Sequence, residues 1–229
     1  MLKIFAKISM TLFLIAVPFL FYGFGGEFLK ILGKFSPRDS RWLAFLAGAI
    51  VFFPCLFIAR RLFLSAWSYL ETLEHEITHL LIGLLFLKIP VGIRVSAHEG
   101  GEVRQRETWL GSMGQTWVAL APYFFPTLPI FVLIFAYFID LTPKTFLAVL
   151  GWTTAFHLVT NWGETSFRQT DLQKSGILKT LLILPVMNLI SYGAILAFVA
   201  DEQKGFGSFW VEGVKGSFSL VSKIWQTIT

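Results

Sequence analysis

Between Trp42 and Ala59 the chain carries no charged residue, and Arg60-Arg61 closes the run. About 20 apolar residues in a helix match the ~30 Å hydrocarbon core of a bilayer. Comparable runs recur near residues 8–24, 62–87, 114–139, 145–162 and 177–200. About six membrane crossings are therefore expected. Of the 229 residues, 55% are hydrophobic and only 14% charged, against about a quarter charged in soluble domains. That composition excludes a water-soluble globular fold, and disorder with it. The connectors are short, so residues 1–229 are expected to form a single integral membrane domain, all-α and polytopic.

The net charge of +5 raises the question of nucleic acid. Lys and Arg flank the apolar runs instead of sharing one face, as topology and anionic headgroups require. A nucleic-acid partner is thereby excluded. Cys55 is the only cysteine, so no intrachain disulfide forms. Behind Lys3 and Lys7 the first run lacks a small-x-small cleavage site, and it reads as a retained anchor rather than a signal peptide.

Three segments break the helical pattern. In 90–105, Val91, Ile93 and Val95 alternate with Gly92, Arg94 and Ser96, and Glu99-Gly100-Gly101 offers a turn. A β-hairpin with Glu102-Val103-Arg104-Gln105 returning is expected there. In the fourth run Pro122, Pro126 and Pro129 free backbone groups that lipid cannot satisfy, so it should bend and face protein or water. In the tail, 206–229, Trp210, Val214, Phe218, Val221, Trp225 and Ile228 fall at helical steps opposite Glu212, Lys215, Ser219, Ser222 and Lys223. That pattern predicts an amphipathic helix lying in the membrane interface.

The third run contains the chemistry: His75-Glu76-Ile77-Thr78-His79. Residues four apart stack on one helix face, so both imidazoles reach a single Zn²⁺ at about 2.0–2.1 Å. The glutamate between them is suited to act as general base toward a water that the ion acidifies. In a soluble helix the same residues would form a solvated face. Here they stand deep in an apolar run, where ionisable groups are costly and usually functional.

In this pattern the chain resembles the intramembrane zinc proteases of the site-2 protease type. These carry H-E-x-x-H in a membrane helix, then a hairpin, a small-residue–proline element and a later aspartate ligand. Here the order is His75-Glu76-x-x-His79, the hairpin 90–105, Ala119-Leu120-Ala121-Pro122, and an acidic candidate beyond. The resemblance covers residues 62–185, the implied metalloprotease core. Ala121 stands where the family commonly has glycine, and Thr170-Asp171-Leu172 replaces its Leu-Asp-Gly. A catalytic zinc takes a third protein ligand, for which Asp171, Glu164 and His157 are the candidates. Asp171 best matches the family's position. His157, four residues before Asn161, is open to a ligand role or an outer hydrogen-bonding role.

Glu71, one turn before His75, is placed to accept its second N–H. Glu74 is open to a reading as a solvated group near a wet cavity, and His98 and Glu99 are expected to be exposed in the hairpin turn. Slightly more Lys and Arg fall on the hairpin's side of the membrane, which puts that side inside, as in bacterial relatives. The expected setting is the inner membrane of a bacterium, crossed several times. The resemblance implies a zinc-dependent endopeptidase acting on membrane-protein or peptide segments, with Glu76 as base and the strand Val91, Ile93 and Val95 holding substrate. The rival is a membrane protein that keeps the zinc site for transport or partner binding.

Overall fold

A computed structural model describes residues 2–97, 100–106, 111–136, 138–165 and 169–228. The elements run α1 (Leu2–Gly33), α2 (Ser40–Leu62), α3 (Leu64–Leu85), β1 (Ile89–Ser96), β2 (Gly100–Arg106) and α4 (Gly111–Leu120). A 3-10 turn (Ala121–Tyr123) leads to α5 (Thr127–Phe135), α6 (Pro143–Glu164), α7 (Thr170–Ser175) and α8 (Ile177–Ile228). The protein is thus mostly helical, with one two-stranded antiparallel sheet.

Local chemistry explains the boundaries. The Asp39 side chain accepts from the Arg41 amide at 2.8 Å and starts α2, an N-cap that satisfies a free amide. Thr142 does the same for Thr145 at 3.3 Å ahead of α6, with Pro143 in its first turn. Gly176, at φ +86°, separates α7 from α8, a conformation that glycine adopts without Cβ strain.

Helices α1, α2 and α8 are long and apolar enough to cross a membrane, and α4 with α5 makes a fourth if the pair is one broken span. That pair bends by 83°, at the prolines where a bend was expected. Six crossings were expected; α3 and α6 miss the apolar criterion because each carries buried polar residues, among them Glu74, Glu76, His157 and Asn161.

Small residues bring the helices together, as in lipid, where burial of apolar surface drives little association. A Cβ on Gly48 of α2 would fall 1.8 Å from the Ala148 carbonyl oxygen, and one on Gly151 would fall 1.9 Å from that of Phe45. Inside α8, Asp201 (φ −155°, ψ 37°) and Glu202 (φ 48°, ψ −138°) break the helix. The chain folds back there, setting Gly205 against Ala197 and Phe209 against Gly193. The tail is helical, as its periodicity predicts. Its packed face, however, is Phe209, Gly213 and Ser217 against Gly23 and Phe24 of α1, with Trp210 edge-on to Phe24, while Val214, Phe218, Val221 and Trp225 are exposed. The largest core joins α1, α2, α6 and α8 around Phe24, Phe45, Leu150 and Ile190. A second, around Leu120, Tyr123, Leu172 and Ile183, lies under the site described next.

Candidate metal centre

Helix α3 runs unbroken from Leu64 to Leu85, so His75 and His79 lie one turn apart on one face. Their Nε2 atoms are 3.2 Å apart. Asp171, in the first turn of α7, brings Oδ2 to 3.1 Å from Nε2 of His79 and 3.8 Å from Nε2 of His75. Tetrahedral ligands ~2.0–2.2 Å from a zinc ion stand about 3.3–3.6 Å from one another. The three donors bracket that spacing, so one ion fits among them with small adjustments. Their side chains are 12%, 11% and 21% exposed in the order His75, His79, Asp171. Among the described residues these three form the group able to hold a metal.

The tautomer of His79 follows from its second nitrogen. Nδ1 lies 2.8 Å from the Val118 carbonyl oxygen. A carbonyl only accepts, so Nδ1 carries the proton and Nε2 presents its lone pair to the site. Val118 has that carbonyl to offer because the residue four later is Pro122, which has no N–H to donate to it. The bend thus supplies the hydrogen bond that orients a candidate ligand. The Tyr123 carbonyl is freed at the same bend, where the Thr127 amide turns to Phe125 instead. Nδ2 of Asn161 and Nδ2 of Asn188 both donate to it, the latter at 2.9 Å. The Tyr123 ring stands edge-on to His75 at 5.5 Å.

Asp171 reaches the pair because Leu172, 1% exposed, plugs α7 into the second core. Gly176 supplies the turn after it. Gly163, also expected to allow a turn, lies within α6 in helical conformation. Burial raises the pKa of Asp171, but the adjoining imidazoles of His75 and His79 and the nearby Lys174 outweigh it, so the carboxyl stays ionised well below the ordinary carboxylate range. Lys174 Nζ is 3.4 Å from Oδ1, the oxygen turned away from the imidazoles.

Glu76 is 6% exposed and lies under the hairpin. The Val103 backbone amide hydrogen-bonds its carboxylate, and Gly101 leaves room for it: a Cβ there would be 2.4 Å from Glu76 Cγ. Strand β2 is tied to α3 by Gln105, whose Nε2 donates to the carbonyls of His79 and Leu80, each at 3.3 Å. Strand β1 pairs with β2 in the register Ile93↔Val103 and Val95↔Gly101, with an irregularity between Pro90 and Gly92. Val91 and Ile93 are exposed and Val95 is half-buried.

His157, fully buried, donates Nδ1–H to Glu74 Oε1 at 3.1 Å and is not among the three grouped donors. Glu164 ends α6, and its side chain lies outside the described residues, as do His98 and Glu99. Glu71 Oε1 accepts from Trp67 Nε1 at 2.6 Å and from Arg60 at 3.0 Å. The sequence reading missed the Val118 carbonyl, the space at Gly101 and the Glu74–His157 pair. Only the first had a legible signal, a proline four residues after a helical carbonyl. Comparison with protein-family models, with curated proteins and with solved structures finds no match for this chain.

Proposed function

We propose that this chain is a zinc-dependent endopeptidase embedded in the membrane, hydrolysing peptide bonds in membrane-associated segments of other proteins. The observation that carries the proposal is the convergence of His75, His79 and Asp171 at ligand spacing beside a buried Glu76. Zinc held by those three residues would supply Lewis acidity toward the scissile carbonyl and toward a water. Glu76 takes the proton of the attacking water and returns it to the leaving amine. The hairpin over Glu76 keeps its carboxylate in place and away from bulk water. His79, oriented by the Val118 carbonyl, keeps its lone pair aimed inward.

A peptide bond inside a helix is screened by its own hydrogen bonds, so the substrate must be extended at the site. The edge of β1 away from β2, which pairs with no third strand among the described residues and has Val91, Ile93 and Val95 on one face, suits an added extended segment. With α3 and α6 as two further crossings, each 22 residues or about 33 Å at ~1.5 Å per residue, the chain crosses six times. The setting is the inner membrane of a bacterium, with the hairpin side inside.

The test is Glu76→Gln in purified protein, assayed on an added single-span reporter peptide in proteoliposomes. Zinc content should match wild type while cleavage disappears. Undiminished cleavage by the Gln variant would remove Glu76 from the mechanism. A wild-type protein that holds zinc and cleaves nothing would favour the rival, a zinc-binding membrane protein for transport or partner binding.

A further inference from the structure

We propose that the buried Glu74–His157 pair sets the rotation of α3 about its own axis and so aims His75 and His79; both are positioning residues, and the inference rests on the metal centre above. Trp67, Glu71, Glu74 and Thr78 recur at steps of four, three and four, which makes one stripe along the helix. Every member of that stripe is fastened. Trp67 packs its ring on Phe52 of α2 at 6.1 Å and on Phe156 of α6 at 5.5 Å. Glu71 meets Arg60 at the end of α2, and the Thr78 hydroxyl bonds that of Thr127 in α5. Glu74 joins α3 to α6 through His157. At about 100° per residue, the His75–His79 face lies roughly 90° around from this stripe.

Of the four fastenings, the Glu74–His157 bond is the one made between two buried ionisable side chains, at 7% and 0% exposure, and Glu74 directly precedes His75. A carboxylate so placed is costly without a partner. The commitment is mutual, because Nε2 of His157 meets no partner among the described residues. Among the described residues the imidazole's one hydrogen bond is therefore Nδ1–H to Glu74, a directional bond that resists rolling of the helix more sharply than an apolar contact does. Rolling matters here: side-chain tips stand ~5–6 Å from a helix axis, so a roll of about 10° moves them about 1 Å. Zinc–ligand distances tolerate only ~0.2 Å.

The experiment measures zinc affinity by competition with a chelator, together with the melting temperature of the zinc-free protein. Wild type is compared with Glu74→Gln, His157→Phe and the double variant Glu74→Leu/His157→Phe. The glutamine still accepts Nδ1–H, so Glu74→Gln should stay within about threefold of wild type. His157→Phe should lose roughly 10- to 100-fold in affinity, the range seen when ligand-supporting contacts are removed. The double variant leaves no buried charge unpaired, so its zinc-free melting temperature should return close to wild type. Its zinc affinity should nevertheless stay 10- to 100-fold down. Wild-type affinity in the double variant would overturn the proposal, as would a Glu74→Gln variant as weak as His157→Phe. A wild-type protein with no zinc affinity would overturn the metal centre instead, which keeps the two failures apart.

Discussion

Replacing Gly101 by alanine puts a methyl carbon where the Glu76 side chain already stands. The new Cβ would lie 2.4 Å from Cγ, 2.7 Å from Cδ and 2.6 Å from Oε1 of Glu76. Favourable carbon contacts begin near ~3.5 Å, so the carboxylate must withdraw by about 1 Å or the hairpin must lift by as much. Backbone strain adds nothing, since Gly101 is not among the positive-φ glycines. Relief of glycine's conformational freedom would by itself stabilise the strand by roughly 0.5–1 kcal/mol. A catalytic group displaced by ~1 Å costs about 100-fold in rate, close to 2.7 kcal/mol on the barrier at ~1.36 kcal/mol per decade. The zinc ligands are untouched, so affinity for the ion should hold. The assay pairs cleavage of one single-span reporter peptide with zinc affinity by chelator competition. A Gly101→Ala protein that cleaves within twofold of wild type would refute the idea that the hairpin seats the base.

Asp171→Asn removes the anionic donor and should weaken zinc binding at least tenfold in the same competition assay; unchanged affinity would move the third ligand elsewhere. Acidification from pH 7 to 5 should weaken zinc binding, detected with a fluorescent chelator, because protons compete with the ion for its ligand atoms. The lowered pKa of Asp171 keeps that carboxylate ionised through this window. Gly48→Val drives a side chain into the Ala148 carbonyl and should destabilise the α2–α6 contact by about 1–3 kcal/mol, seen as a lower melting temperature in detergent.

Several features were legible in the sequence because their causes are local. Four-residue spacing sets His75 and His79 on one face wherever α3 goes, and the alternation at 91–96 announces the hairpin, although Gly100 and Gly101, expected in its turn, pair within β2. Prolines 122, 126 and 129 lack the donors a straight helix needs, so the break was expected as well. The partners of those elements were not legible. Asp171 is 92 positions from His79, and nothing local to Thr170-Asp171-Leu172 separates it from Glu164 or His157. The plug at Leu172 and the turn at Gly176 bring Asp171 to the imidazole pair. The inward face of the tail was equally hidden. In lipid, apolarity marks the outer surface as well as the core: Phe57, Trp162 and Leu178 are 72%, 85% and 71% exposed. The contacts are made instead at Gly23, Gly48, Gly151 and Gly213, where backbones approach closely. The sequence alone determined which chemical groups share a helix face. Only the tertiary structure decided what each face meets, because helix packing depends on shape complementarity between segments far apart in the chain, which no local periodicity encodes.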